Sequence, residues 1–98
     1  MRGFIMEHNP LLSISKNQME ITYSDIKTKP DGSKYTTIYF ERPNGDEFVS
    51  AKYDYPGDDF SEIKGIGKKE LEELRNYVYK LGSVAFDFSA EKEGISNA

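Results

Sequence analysis

Two turn tetrapeptides, Pro30-Asp31-Gly32-Ser33 and Pro43-Asn44-Gly45-Asp46, set the plan of this chain. In each, proline presets φ and glycine takes φ > 0 freely, so the backbone reverses twice within a short stretch. Asn-Gly is also a strong two-residue hairpin signal. The segment between the turns, Tyr35 to Glu41, is apolar or aromatic on both faces. Ile38 and Phe40 share one face and Tyr35 and Tyr39 the other, as a central strand requires. Upstream, between Gln18 and Lys27, Met19, Ile21 and Tyr23 alternate with Glu20, Thr22 and Ser24, the period of a strand with one covered face. Ile26 falls out of phase, and a bulge near Ser24 or Asp25 restores it. Glu47 to Tyr53 supplies a third strand. The expected fold is α+β: a three-stranded antiparallel meander, extensible to four, packed on a C-terminal helix within one domain at 11–93. Leu11 to Ser15 suits an edge strand or a turn of helix, and 1–10 and 94–98 are expected to be flexible tails.

The helix is announced by apolar residues at 71, 74, 78 and 81 among Glu, Lys and Arg. At Gly82 two readings part. The helical phase runs on through Ala85 and Phe88, and glycine inside a helix costs only about 1 kcal/mol. One helix from about Lys68 to Glu93 is therefore preferred to a left-handed cap at Gly82 followed by a fourth strand through Val84, Phe86 and Phe88. Such a helix is roughly 39 Å long, against roughly 26 Å for an eight-residue strand. It is expected to overhang the sheet, with Phe86 and Phe88 on the overhang and a second copy or another protein as their cover. The expected core is Met19, Ile21, Ile38, Phe40, Val49, Ala51, Leu71, Leu74, Val78 and Leu81.

Composition narrows the function classes. With 98 residues, 37% of them hydrophobic, and a net charge of −4, the core is thin and a partner's surface would help to complete it. The absence of cysteine excludes disulfides, a thiolate nucleophile and cysteine-held metal. The apolar run Gly3 to Met6 is too short for a signal-peptide core, and no stretch approaches a membrane span, so a cytoplasmic address is expected. His8, the single histidine, is expected to be a solvated tail residue. No nucleophile elbow, P-loop, H-E-x-x-H or dinucleotide fingerprint is present, so no enzyme, cofactor or metal is expected.

What remains is binding. Residues 46–62 hold Asp46, Glu47, Asp54, Asp58, Asp59 and Glu62 against Lys52 alone, a local balance of −5. Asp54, Asp58, Asp59 and Glu62, with Phe86 and Phe88, are the candidate contacts for a basic protein partner. A cation site in this segment does not follow EF-hand spacing, whereas Asp59 or Ser61 with Glu62 suits capping of a short helical turn. The leading expectation is a small non-enzymatic regulatory module that acts through protein contacts and self-associates as a homodimer or homo-oligomer.

The rival is single-stranded nucleic-acid binding. Tyr23, Tyr35 and Tyr39 are interleaved with Lys27, Lys29, Lys34 and Arg42, the elements of a stacking surface, although tyrosine is also a good strand former on a half-buried face. A curved sheet followed by a helix is similar, in topology only, to the PUR single-strand binders, none of whose motifs is present. Ile63-Lys64-Gly65-Ile66-Gly67 followed by Leu71 and Leu74 resembles the turn of a helix-hairpin-helix motif over about a dozen residues. That resemblance implies that Gly65 and Gly67 offer backbone N–H groups to a phosphate, with Lys68 and Lys69 adding charge at a helix N-terminus. The sequence departs from the motif in leaving barely two turns for a first helix and in carrying Leu71 where a small residue is usual. The plainer reading is a link from sheet to helix. Overall acidity counts against a duplex-DNA binder.

Overall fold

In the computed structural model of the chain, residues 8–15, 17–57 and 59–92 are described, Lys92 by its backbone alone. They form β1 (Asn9–Ile14), β2 (Met19–Tyr23), β3 (Lys27–Thr28), β4 (Lys34–Asn44), β5 (Glu47–Tyr55), β6 (Phe60–Lys64) and α1 (Lys68–Lys92). The sheet is antiparallel, in the order β1-β2-β4-β5-β6, with β3 beside β4. The α+β class holds, but six strands replace the expected three or four. The added ones are the short β3 and the two edges. The tails at 1–7 and 94–98 lie outside the described residues, while Asn9 and Pro10, expected in the tail, belong to β1.

The phase slip at Ile26 has the cause its pattern requires. Between the pairs Tyr23↔Ile38 and Lys27↔Tyr35, three residues on one strand face two on the other. The Ser24 N–H is bonded to the Thr37 carbonyl at 2.9 Å. This bulge buries Tyr23 and Ser24 in succession and returns Lys27 to the face of Tyr35. In the first turn, Asp31 accepts from the Ser33 N–H and hydroxyl at 2.9 and 2.7 Å, which holds its carboxyl below the usual range. In the second turn Asn44 already pairs with Glu47, so the loop is Gly45-Asp46, one residue later than the Asn-Gly signal indicates.

Both edges are interrupted. β1 carries Pro10, whose missing N–H suits an edge, and a bulge between Pro10 and Leu12. β6 shifts register between the partners of Ser50 and Lys52, with Glu62 at φ 48°. Such devices discourage edge-to-edge pairing. β6 also corrects the reading of residues 59–62 as a loop or capped helical turn. Phe60 turns inward and packs edge-on against Phe40 and Tyr53, with ring centroids 5.8 and 5.1 Å apart.

The helix passes through Gly82 without a break, and no strand forms at Val84–Phe88. A Cβ at residue 82 would run into the Tyr55 ring, so the bare glycine lets that ring lie against the helix. Inward positions are large in the first half, Leu74 and Val78, and small in the second, Ala85, Ser89 and Ala90. Small residues let the second half approach the sheet closely. Ser89 is fully buried, and its hydroxyl donates to the Ser24 carbonyl at 2.8 Å, which also accepts from Thr36 at 2.8 Å.

The expected overhang is therefore absent. β4 has eleven residues rather than eight, about 37 Å of strand, and the 25 residues of α1 reach about the same length. Phe86 packs against Tyr55 and Phe88 against Tyr23, with centroids 6.5 and 6.3 Å apart. The need for a second copy to cover a protruding rod loses its ground. Of the expected core, eight residues are buried and Leu71 and Leu81 are half-buried. Tyr23, Tyr53, Phe60 and Ile66 join it. Among the described residues no helix is long and apolar enough to cross a membrane.

Candidate functional site

Strand alternation decides which β4 side chains are available for binding. Thr36, Ile38 and Phe40 face the helix, which sends Tyr35, Thr37, Tyr39 and Glu41 to the opposite face. Among the described residues no further strand or helix packs over that face. Register completes the arrangement: Thr22, Tyr39 and Lys52 form one cross-strand row, Thr37 pairs with Asp54, and Tyr35 pairs with Lys27.

These rows hold a set of polar and aromatic contacts. The His8 imidazole lies flat on the Tyr39 ring, with centroids 3.6 Å apart and planes within 6°. Its Nδ1 is 3.5 Å from the Thr22 hydroxyl. Lys52 Nζ stands 5.7 Å from the Tyr39 centroid and 3.1 Å from Glu62. The Lys27 ammonium donates to the Thr37 hydroxyl at 3.0 Å, and that hydroxyl donates to Asp54 at 2.7 Å. Lys27 and Lys29 stand 5.7 and 5.5 Å from the Tyr35 centroid, within the reach of cation–π attraction. Beside Tyr39 opens a groove of about 550 Å³ lined by His8, Ser24, Asp25, Ile26, Lys27 and Tyr39.

The nucleic-acid set from the sequence is thus split in two. Lys27, Lys29, Tyr35 and Tyr39 come together on the open face, and Lys34 lies at the hairpin end, bonded to Thr28 at 3.0 Å. Tyr23 leaves the set, because it is buried on the helix side. Arg42 is at the other end of β4, in a two-point ion pair with Glu70 at 2.7 and 2.8 Å. Those hydrogen bonds raise the Arg42 pKa and hold the Glu70 carboxyl below its ordinary range.

The helix-hairpin-helix resemblance ends at Gly65, because strand β6 occupies the place of a first helix. Gly65 sits at φ +78°, and a Cβ there would come within 2.6 Å of Val49 Cγ1, so its bareness serves packing. The Gly67 carbonyl accepts from Leu71 N–H at 3.0 Å, which makes Gly67 the N-cap of α1. Lys68 and Lys69 are exposed just beyond it.

The protein-contact set is dispersed over three sides of the molecule. Asp54 lies on the open face. Asp59 accepts from its neighbour's backbone, Phe60 N–H, at 2.8 Å and from Arg75 at 3.4 Å at the β6 edge, where Glu62 meets Lys52. Asp58 lies outside the described residues. Phe86 lines a cleft of about 240 Å³ with Tyr55, Pro56, Ser83 and Asp87, while Phe88 is on the β2 side of the helix, 48% exposed. Among the described residues no group of three or more His, Asp or Glu could hold a metal ion.

Sequence reasoning did not bring His8, Lys52 or Asp25 to the open face. His8 is not a solvated tail residue: the pairing of Asn9 with Tyr23 carries the chain back over the sheet and places the imidazole on Tyr39. Lys52 and Asp25 reach the face only through strand register and the bulge, which composition does not encode. No family model matches the chain, and no curated protein or solved structure matches it. Function is therefore read from the geometry.

Proposed function

We propose that this domain binds single-stranded nucleic acid, without catalysis, on the open face of its sheet. The observation that supports this reading is the Tyr39 ring, which carries a coplanar heterocycle at 3.6 Å and so offers the surface that a stacked base uses. Tyr35 lies four residues along the same strand, about 13 Å away, with Lys27 and Lys29 beside it for phosphate. Lys27 and Lys29 cluster at the Tyr35 end of the face, while Lys52 is already paired with Glu62, so positive charge is confined to the hairpin end of an acidic chain. Beyond Tyr39, Glu20 and Glu41 pair directly across the strands and repel a continuing phosphate track. The site is thus only a few nucleotides long. Two stacked bases contribute about 2–6 kcal/mol, which alone corresponds to a Kd between roughly 40 µM and 30 mM, and binding is expected to weaken as salt rises.

Fluorescence anisotropy with a labelled single-stranded oligothymidylate tests this. Binding at low salt is expected, with loss in Tyr39→Ala and in Lys27→Glu/Lys29→Glu. Silence of the wild-type chain at low salt would overturn the proposal. The second reading, a regulatory module that meets a protein partner or a second copy of itself, draws support from Val84 and Phe88. They are 37% and 48% exposed one turn apart on the same helix flank. Sedimentation in which mass rises with concentration, and Phe88→Glu abolishes the rise, would favour it.

A further inference from the structure

We infer that the slot over the Tyr39 ring is a seat for one planar heteroaromatic base and that His8 fills this seat until a ligand takes it. The inference rests on the single-strand reading of the open face. The seat and its occupant are held very differently. Tyr39 is in the middle of β4, paired to Thr22 on one side and Lys52 on the other, so its position is fixed by two ladders. His8 precedes the first residue of β1 and stands outside the ladder. Its Nδ1 lies 3.5 Å from the Thr22 hydroxyl.

The stack itself is nearly face to face, the geometry of a base on a ring rather than the offset or edge-on arrangement of most protein aromatic pairs. Around the seat are the groups a nucleotide uses. The Thr22 hydroxyl lies at the edge of the stacked ring for a base heteroatom, and Lys27 and Lys52 flank Tyr39 for phosphate. Displacing the imidazole enlarges the groove of which it forms one wall. His8 and a base compete for one surface, so the free chain binds less tightly than the bare seat would.

Because the chain has one histidine, its ring protons give unambiguous NMR signals. In the free protein they should be shifted upfield relative to the Tyr39→Leu variant. On titration with the same oligothymidylate they should move to the unstacked position. His8→Ala should bind about three- to tenfold more tightly, roughly the worth of one aromatic pair. Histidine signals that stay ring-shifted at saturation, or a His8→Ala affinity equal to or weaker than wild type, would overturn the inference while leaving the binding face intact. Binding by neither chain at low salt would remove both.

Discussion

Tyr39 and Phe40 are neighbours on β4 and belong to two different kinds of surface. Phe40 is fully buried beneath the helix with Met19, Ile21 and Ile38, none of them more than 1% exposed. Tyr39, on the other face, meets a histidine ring and a lysine ammonium. One face closes by apolar burial and gains nearly all its free energy from exclusion of water. The other closes by single polar contacts, each worth about 1 kcal/mol or less. A rigid sheet whose stability resides on one side can present replaceable contacts on the other. The two faces should therefore respond oppositely to substitution.

The sharpest break in that contrast would come from Phe40→Ala. Truncating a fully buried phenylalanine costs about 3–5 kcal/mol, a large part of the 5–15 kcal/mol that holds an ordinary domain. Urea unfolding should show the loss; a cost under about 1 kcal/mol would mean that the helix side is not the stabilising one. Next in size is Gly65→Ala, expected to cost about 2 kcal/mol from the positive φ and the close approach of Val49. Gly67→Ala, where a Cβ meets nothing within 4 Å, should cost only about 1 kcal/mol, the difference between glycine and alanine at an N-cap. It should also leave oligonucleotide affinity unchanged. Equal and large effects of the two on binding would restore the phosphate-cradle reading of this turn.

The same division explains what could be read from the sequence. Turns, apolar alternation and the helical phase through Gly82 all belong to the buried face, and they placed β2, β4, β5, α1 and eight core residues. The edges were obscure because each breaks its own pattern. Pro10 and a bulge interrupt β1, and in β6 only Phe60 and Ile63 are apolar, with Glu62 at positive φ between them. Ser24, Thr36 and Ser89 form a buried hydroxyl cluster that no hydrophobic signal could reveal. The open face was half legible: the tyrosines and lysines stand in the first hairpin, but Lys52 and His8 join them only through register and a chain reversal.

A smaller effect comes from the end of the helix nearest the second turn, where Arg42 and Glu70 tie α1 to β4. Their side chains are 21% and 18% exposed, so the two-point pair is partly shielded from water and worth about 1 kcal/mol. Hydrogen bonds from Arg42 hold the folded Glu70 pKa below its ordinary 4.5, more than offsetting burial. The unfolded chain then binds the proton more readily. The pair's stabilisation is complete above about pH 4.5 and disappears as pH falls through the lower folded value. Glu70→Gln should lose about 1 kcal/mol at neutral pH and flatten the acid limb of the stability curve. An unchanged acid limb would show the tether to be idle.

Tyr39→Ala should have the least effect on stability and the greatest on binding. A half-exposed cross-strand residue contributes about 0.2–1 kcal/mol, so the melting curve should move by only a few degrees at most. The oligothymidylate signal should vanish, because the seat for the base is gone while Lys27, Lys29 and the sheet remain. Tyr39→Phe, which keeps the ring and loses the hydroxyl, should retain both stability and binding. If Tyr39→Ala instead unfolded the chain as Phe40→Ala does, the open face would be part of the core in all but position. If Tyr39→Phe lost binding, the hydroxyl rather than the ring face would be the recognising group, and the stacking role assigned to this face would have to be abandoned.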